Sequence, residues 1–174
     1  MRILTAAAFI ALASSLVAAQ AQPDTKGWHG AEWGMTPAQA AAATQMSLSA
    51  PVPADQRPRL FESDPEAECR TAPDVAIGAL TATPKFCFAA RRDPGLAMIL
   101  LEVRETSRYA ELRAELKARY GEPTSEETFP GRALQTTDAK WLLPSTEIAL
   151  GLIKVVNMAP QLTLVYTRRT VPIL

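Results

Sequence analysis

At 174 residues, with 18 basic and 18 acidic side chains, one histidine and two cysteines, the chain is of single-domain length and formally neutral. That balance excludes the basic footprint of a nucleic-acid binder and the cationic excess of a protein held on anionic lipid. A lone histidine, with no Cys/His cluster at ligand spacing, excludes multi-histidine metal centres and structural zinc, and no cofactor is expected.

After Met1 and Arg2, the stretch Ile3 to Val17 is an apolar run broken only by Thr5 and the pair Ser14 and Ser15. Ala19 and Ala21 then place small residues where a signal peptidase reads, ahead of Gln22 and Pro23. This is the layout of a cleavable secretory signal peptide over residues 1–21. It directs residues 22–174, read as one globular domain, to the bacterial periplasm or the medium. The run is about fifteen residues, short of the roughly twenty a spanning helix needs, so cleavage is expected over retention as an anchor. No twin arginine and no lipobox cysteine accompany it, and a product free of lipid and without stable membrane insertion is expected. In an oxidising compartment Cys69 and Cys87 read as a disulfide, the alternative being two buried thiols. The CxxC spacing of a redox-active pair is absent.

Along the chain, Thr36, Pro37 and Gln39 form a helix start of the capping-box kind, and the helix runs to about Gln45 with an alanine-rich face. Residues 47 to 66, with Pro51, Pro53, Pro58 and Pro65, predict an irregular connection holding one short strand near Arg59 to Phe61. Strands are predicted over Asp74 to Ala82, Lys85 to Arg91 and Ala97 to Arg104. The second puts Phe86 and Phe88 on one face and Cys87 on the other, and Asp93, Pro94 and Gly95 turn it into the third. Ser107 to Tyr120 predicts a second helix, with Tyr109, Leu112, Leu116 and Tyr120 on one stripe and a Glu115–Arg119 pair on the wet side. Gly121 and Pro123 end it. Strands at Arg132 to Leu142, Glu147 to Ile153 and Leu162 to Thr170 follow, with turns at Pro144–Ser145 and Asn157 to Pro160. Short connections and few helices give an α+β class: an antiparallel sheet with two main helices on one face. The shared order of helix then strands in each half hints at a pseudo-repeat.

Candidate chemistry is sparse. A Ser-His-Asp triad would have to use His29, and no GxSxG elbow, phosphate-binding glycine loop or dinucleotide fingerprint is present. His29, between Trp28 and Gly30, reads either as a titrating site residue or as a partly exposed loop histidine, the latter being expected. The acidic run Glu62, Asp64, Glu66 and Glu68 has the chemistry to chelate calcium or to supply an acid/base pair for glycan cleavage. Pro65 interrupts it and the glycines of a calcium loop are missing, so a solvated surface is expected, with no metal or catalytic residue assigned. Trp28, Trp33 and Trp141 read as a stacking platform for glycan or, as expected here, as plugs in a helix–sheet seam. The pairs Arg91–Arg92 and Arg168–Arg169 are read as solvated strand ends that blunt edge pairing. Trp28, His29, Glu62, Asp64 and Glu66 stand as the candidate surface or ligand contacts.

The pieces Trp33–Gly34–Met35–Thr36, Leu116 to Pro123 with Tyr120–Gly121, and Trp141 followed by Ile148 to Leu150 and Leu164 to Tyr166 form a recognisable pattern. It resembles small uncharacterised periplasmic proteins of proteobacteria. More distantly, the helix-then-strands order is similar to the β-lactamase-inhibitor-protein-like fold that small outer-membrane assembly lipoproteins share. The resemblance implies an exported α+β domain and brings no catalytic residue. The expectation is a non-enzymatic protein that binds a protein partner or envelope component through a sheet face or strand edge. The runner-up is an envelope hydrolase or glycan-binding factor built on Glu62 to Glu68 and the tryptophans. An inhibitor of a secreted enzyme is a third reading.

Overall fold

The computed structural model describes residues 25–61, 63–91 and 93–169, so the expected signal segment, Glu62, Arg92 and Thr170 lie outside the described residues. Helix α1 (Pro37–Thr44) starts as its sequence predicts. The Thr36 hydroxyl accepts from the Gln39 N–H, the Gln39 side chain accepts from the Thr36 N–H, and Pro37 takes the first turn. Helix α2 (Tyr109–Tyr120) is led in by a 3₁₀ turn over Thr106–Arg108 and buries Leu112, Leu116 and Tyr120. Its stop is the Gly121 N–H, which bonds the Lys117 carbonyl at 2.8 Å. The expected Glu115–Arg119 pair does not form. Other contacts hold the charges in and around α2: Arg108 of the 3₁₀ turn pairs with Glu111, Arg113 with Glu126, and Arg119 lies 5.6 Å from the Tyr120 ring centre.

The helices cover one face of an eight-stranded antiparallel sheet. A two-residue hairpin, β1 (Gly27–Trp28) and β2 (Ala31–Glu32), precedes α1. The sheet strands are β3 (Glu68–Thr71), β4 (Val75–Ile77), β5 (Leu80–Ala89), β6 (Gly95–Val103), β7 (Ser125–Pro130), β8 (Leu134–Leu142), β9 (Thr146–Val155) and β10 (Gln161–Arg168). Their spatial order is β3-β5-β6-β10-β9-β8-β7, with β4 beside β5. Each half is a helix followed by antiparallel strands, and in each half the last strand lies innermost. The halves meet where β6 pairs β10, with Ile99 opposite Tyr166, Leu101 opposite Leu164 and Val103 opposite Leu162.

Period-two alternation sends Leu80, Ala82, Phe86, Ile99, Leu101, Trp141, Ile148, Leu150, Leu162 and Leu164 to the helix side, where they form the main core with Ala40, Leu112 and Leu116. Trp141 is fully buried there, and its indole N–H donates to the Gly121 carbonyl at 2.9 Å, tying β8 to the end of α2. A smaller cluster lies on the opposite face over one end of the sheet: Phe61, Ala67, Cys69, Cys87 and Met98. At its centre Cys69 and Cys87, opposite each other on β3 and β5, form a disulfide. A bulge at Cys87/Phe88 sends both Ala97 and Met98 of β6 towards that cluster.

Several boundaries differ from the sequence prediction for identifiable reasons. Arg59 to Phe61 is a 3₁₀ turn and not a strand, because the Phe61 N–H closes onto the Pro58 carbonyl at 3.0 Å. The single strand predicted over Asp74 to Ala82 folds back on itself at Gly78 as the β4–β5 hairpin. Strand β5 then continues through Pro84, whose missing N–H falls in the gap where neither β3 nor β4 pairs with β5. Strands β1, β2, β3 and β7 are additional. The first three are two to four residues long, and β7 carries no apolar alternation because it is exposed throughout. Replacing both Cys69 and Cys87 by alanine is expected to cost about 3 kcal/mol by loop closure alone. Urea unfolding of wild type and double variant, with and without reductant, measures this; reductant is expected to shift the wild type alone.

Candidate functional site

The tryptophan–glycine motifs turn out to be joints of the fold. The Gly34 N–H donates to the Leu96 carbonyl at 2.9 Å and the Leu96 N–H to the Met35 carbonyl at 2.8 Å, stitching residues 34–35 to the start of β6. Only a glycine at position 95 permits this approach, since a Cβ there would overlap the Gly34 carbonyl. The Trp33 indole N–H donates to the Thr146 hydroxyl at 2.9 Å. Trp28, half-buried, packs 6.2 Å from Phe86 between ring centres. His29 and Gly30 both have positive φ, 51° and 88°, as the two central residues of the tight β1–β2 hairpin. His29 is exposed, with its ring centre 5.2 Å from that of Trp28. The three tryptophans therefore stand at separate seams: Trp33 on Thr146, Trp141 beneath α2, and Trp28 on Phe86.

Of the acidic residues, Asp64 and Glu66 both meet Arg91, whereas Glu68 is engaged elsewhere. Asp64 is buried, and its Oδ2 accepts the N–H groups of Ala90 at 2.9 Å and Arg91 at 3.1 Å, fastening the 47–67 connection to the end of β5. Burial pulls its carboxyl upward, but the N–H groups of Arg91 and Ala90, with the Arg91 charge, outweigh that and hold it below the ordinary aspartate value. Glu66 is exposed and pairs with Arg91 at 3.5 Å, and Glu68 pairs with Arg70 at 3.0 Å. Glu62 and Arg92 lie outside the described residues. Arg168 and Arg169 donate to the carbonyls of Asp93 and Leu143. Among the described residues, no three His, Cys, Asp or Glu side chains are grouped to hold a metal ion. The largest shift belongs to Tyr166, whose phenol burial and then its Tyr120 neighbour push well up, holding it neutral inside the core.

What the sequence leaves unannounced is the face of the sheet turned away from the helices. The 47–67 connection and the disulfide cluster cover it over β3, β5 and β6. Beyond β10 no such cover lies over it among the described residues. Directly opposed residues share a face, so the registers define rows across it. One row is Glu102, Thr163, Gly151, Asp138 and Glu127; the next is Gln161, Ile153, Thr136 and Phe129. Phe129 is 62 % exposed, Leu134 41 % and Ile153 36 %. A shallow depression of about 530 Å³, bordered by Leu100, Glu102, Gln161 and Thr163, adjoins these rows.

The two sheet edges also differ. Outside β3, the Ser49 N–H donates to the Thr71 carbonyl at 2.9 Å and the Val52 N–H to the Cys69 carbonyl at 2.8 Å, so residues 49–52 close that edge. Every residue of β7, at the other edge, is exposed. Phe129, a lone aromatic in a polar stretch, is the one trace of this surface in the sequence.

Comparison with protein-family models, with curated proteins and with solved structures finds no match. No helix among the described residues is long and apolar enough to cross a membrane.

The Asp64 clamp has a pH signature. A carboxylate held below its unfolded pKa stabilises the fold above that pKa and loses its contribution as pH falls through the lower folded value. Wild type is expected to lose stability from about pH 4 downward, and Asp64→Asn to show a weaker decline from a lower starting point. Urea midpoints across pH 2.5–6 check this.

Proposed function

We propose that this is an exported, non-enzymatic binding protein, released from residues 1–21 into the periplasm or medium, which engages a protein partner or envelope component through the uncovered sheet face over β7, β8 and β9. The observation that carries the reading is Phe129, 62 % exposed on a free edge strand, in one row with Ile153 on a face that neither helix covers. The same strand order closes the opposite edge with residues 49–52, so the open side is a local property of one half of the sheet. The Cys69–Cys87 disulfide supports an oxidising, extracytoplasmic compartment, and the resemblance to small periplasmic proteins agrees with it. The engagement of Asp64 by backbone N–H groups, the ion pairs of Glu66 and Glu68, and the burial of Trp141 weigh against a glycan cleft that would unite acids and tryptophans.

A photo-reactive phenylalanine analogue at position 129 or 153, in protein exported by a bacterial host, tests the reading. Adducts are expected from both face positions and not from position 118, exposed on α2. Equal labelling at all three, or none at 129 and 153, overturns it.

A further inference from the structure

The charge and register of the uncovered sheet face also specify its occupant. Among the described residues strand β7 is a free sheet edge of six exposed residues, and a free edge offers main-chain groups to an added strand. On the uncovered face it presents Ser125, Glu127 and Phe129, each continuing a row into β8. Phe129 lies opposite Thr136, with Ile153 next in the row, which makes one end apolar. Glu127 lies opposite Asp138, a like-charge cross-strand pair of the kind that destabilises a sheet. Neither carboxylate takes part in an ion pair among the described residues, whereas Glu126, on the helix side of the same strand, is paired with Arg113. Asp138 does lie on the uncovered face, since a Cβ on Gly151 would come 3.0 Å from its Oδ1 and 3.6 Å from the Thr163 hydroxyl.

We infer that β7 receives an extended, basic polypeptide segment as a ninth strand, with a Lys or Arg of the partner beside the Glu127–Asp138 row and an apolar side chain beside the Phe129–Ile153 row. A second copy of this chain fits worse. Antiparallel self-pairing centred on Glu127 sets that carboxylate against itself, and centring on Thr128 sets Glu127 against Phe129. The glutamates and Pro130 that blunt self-association thus select a partner of opposite charge. The main chain supplies attachment, alternate side chains supply specificity, and the acid pair is retained at a cost to the free protein.

The inference rests on the binding reading but has its own test. Two fluorescent heptapeptides serve as probes: Thr-Val-Thr-Lys-Thr-Ser-Thr and the same sequence with Glu in place of Lys. Anisotropy titration of the full chain at low and high salt is expected to favour the lysine peptide by about tenfold, the preference shrinking as salt rises. Glu127→Lys is expected to reverse the preference, and Phe129→Ser to weaken both peptides. Because the like-charge pair is relieved, Glu127→Lys is also expected to raise the melting temperature by about 2 °C, so lost binding cannot be ascribed to unfolding. Glu127→Gln, expected to abolish the preference without reversing it, covers the case in which the lysine variant fails to fold. Equal affinity for the two peptides, no binding of either, or a preference unmoved by both Glu127 substitutions overturns the inference. Adducts at 129 and 153 alongside any of those results would leave the surface standing and remove only the basic strand. Self-association of wild type abolished by Phe129→Ser would replace the partner with a second copy.

Discussion

The pairing of β6 with β10 is the constraint on which the rest of the molecule depends. Each half of the chain makes a local meander, but a meander of a few strands leaves its innermost strand with one unpaired side. Joining the last strand of each half satisfies both, and it sets Ile99, Leu101 and Val103 beside Tyr166, Leu164 and Leu162 under the two helices. A one-residue slip here would turn the buried row of an entire half to solvent, so the register is enforced by the core it creates. The joint is also the most non-local in the sheet, because the strands it unites are separated by α2, β7, β8 and β9.

The two faces differ because the helices occupy only one of them. On the helix side, small residues of α1 and the Leu112–Leu116 stripe of α2 fill the seam. On the other side, the proline-rich connection and the disulfide roof over half of the sheet. Asp64 fastens that roof by two backbone N–H groups and residues 49–52 close the β3 edge. Nothing comparable covers β7 to β9 among the described residues. The exposure of Phe129 follows from this asymmetry of covering, as does the opposition of Glu127 and Asp138. A protein selected for stability alone would have little use for either arrangement.

Much of this was legible in the chain. The capping box of α1, the apolar stripe of α2, the hairpin connection at Asp93 to Gly95, the Phe86–Phe88 face of β5, the strands at β6 and β10 and the cysteine pair are encoded by neighbours a few residues apart, and each appears in the structure. The two sheet strands missed from the chain share one physical origin. Strand β3 is four residues long and defined by pairing Cys69 against Cys87; β7 is polar throughout and defined by pairing with β8. Such strands are specified by their partners and not by their own pattern. The tryptophan motifs were visible as motifs, but their roles as seams emerged only when Gly34 met Leu96 and Trp141 met Gly121. The acidic run looked like a cluster in sequence, yet the turn geometry around Pro65 sends Asp64 inward and Glu66 outward.

The chain alone encodes the α+β class, both helices, the turn that joins β5 to β6 and the means for a disulfide, because each depends on side-chain periodicity, capping or residue type within a short window. Tertiary structure decided which strand ends at an open edge, which sheet face stays bare and which charges face one another across β7 and β8. Those properties arise from long-range register between strands that are distant in the chain, and no local pattern carries that information.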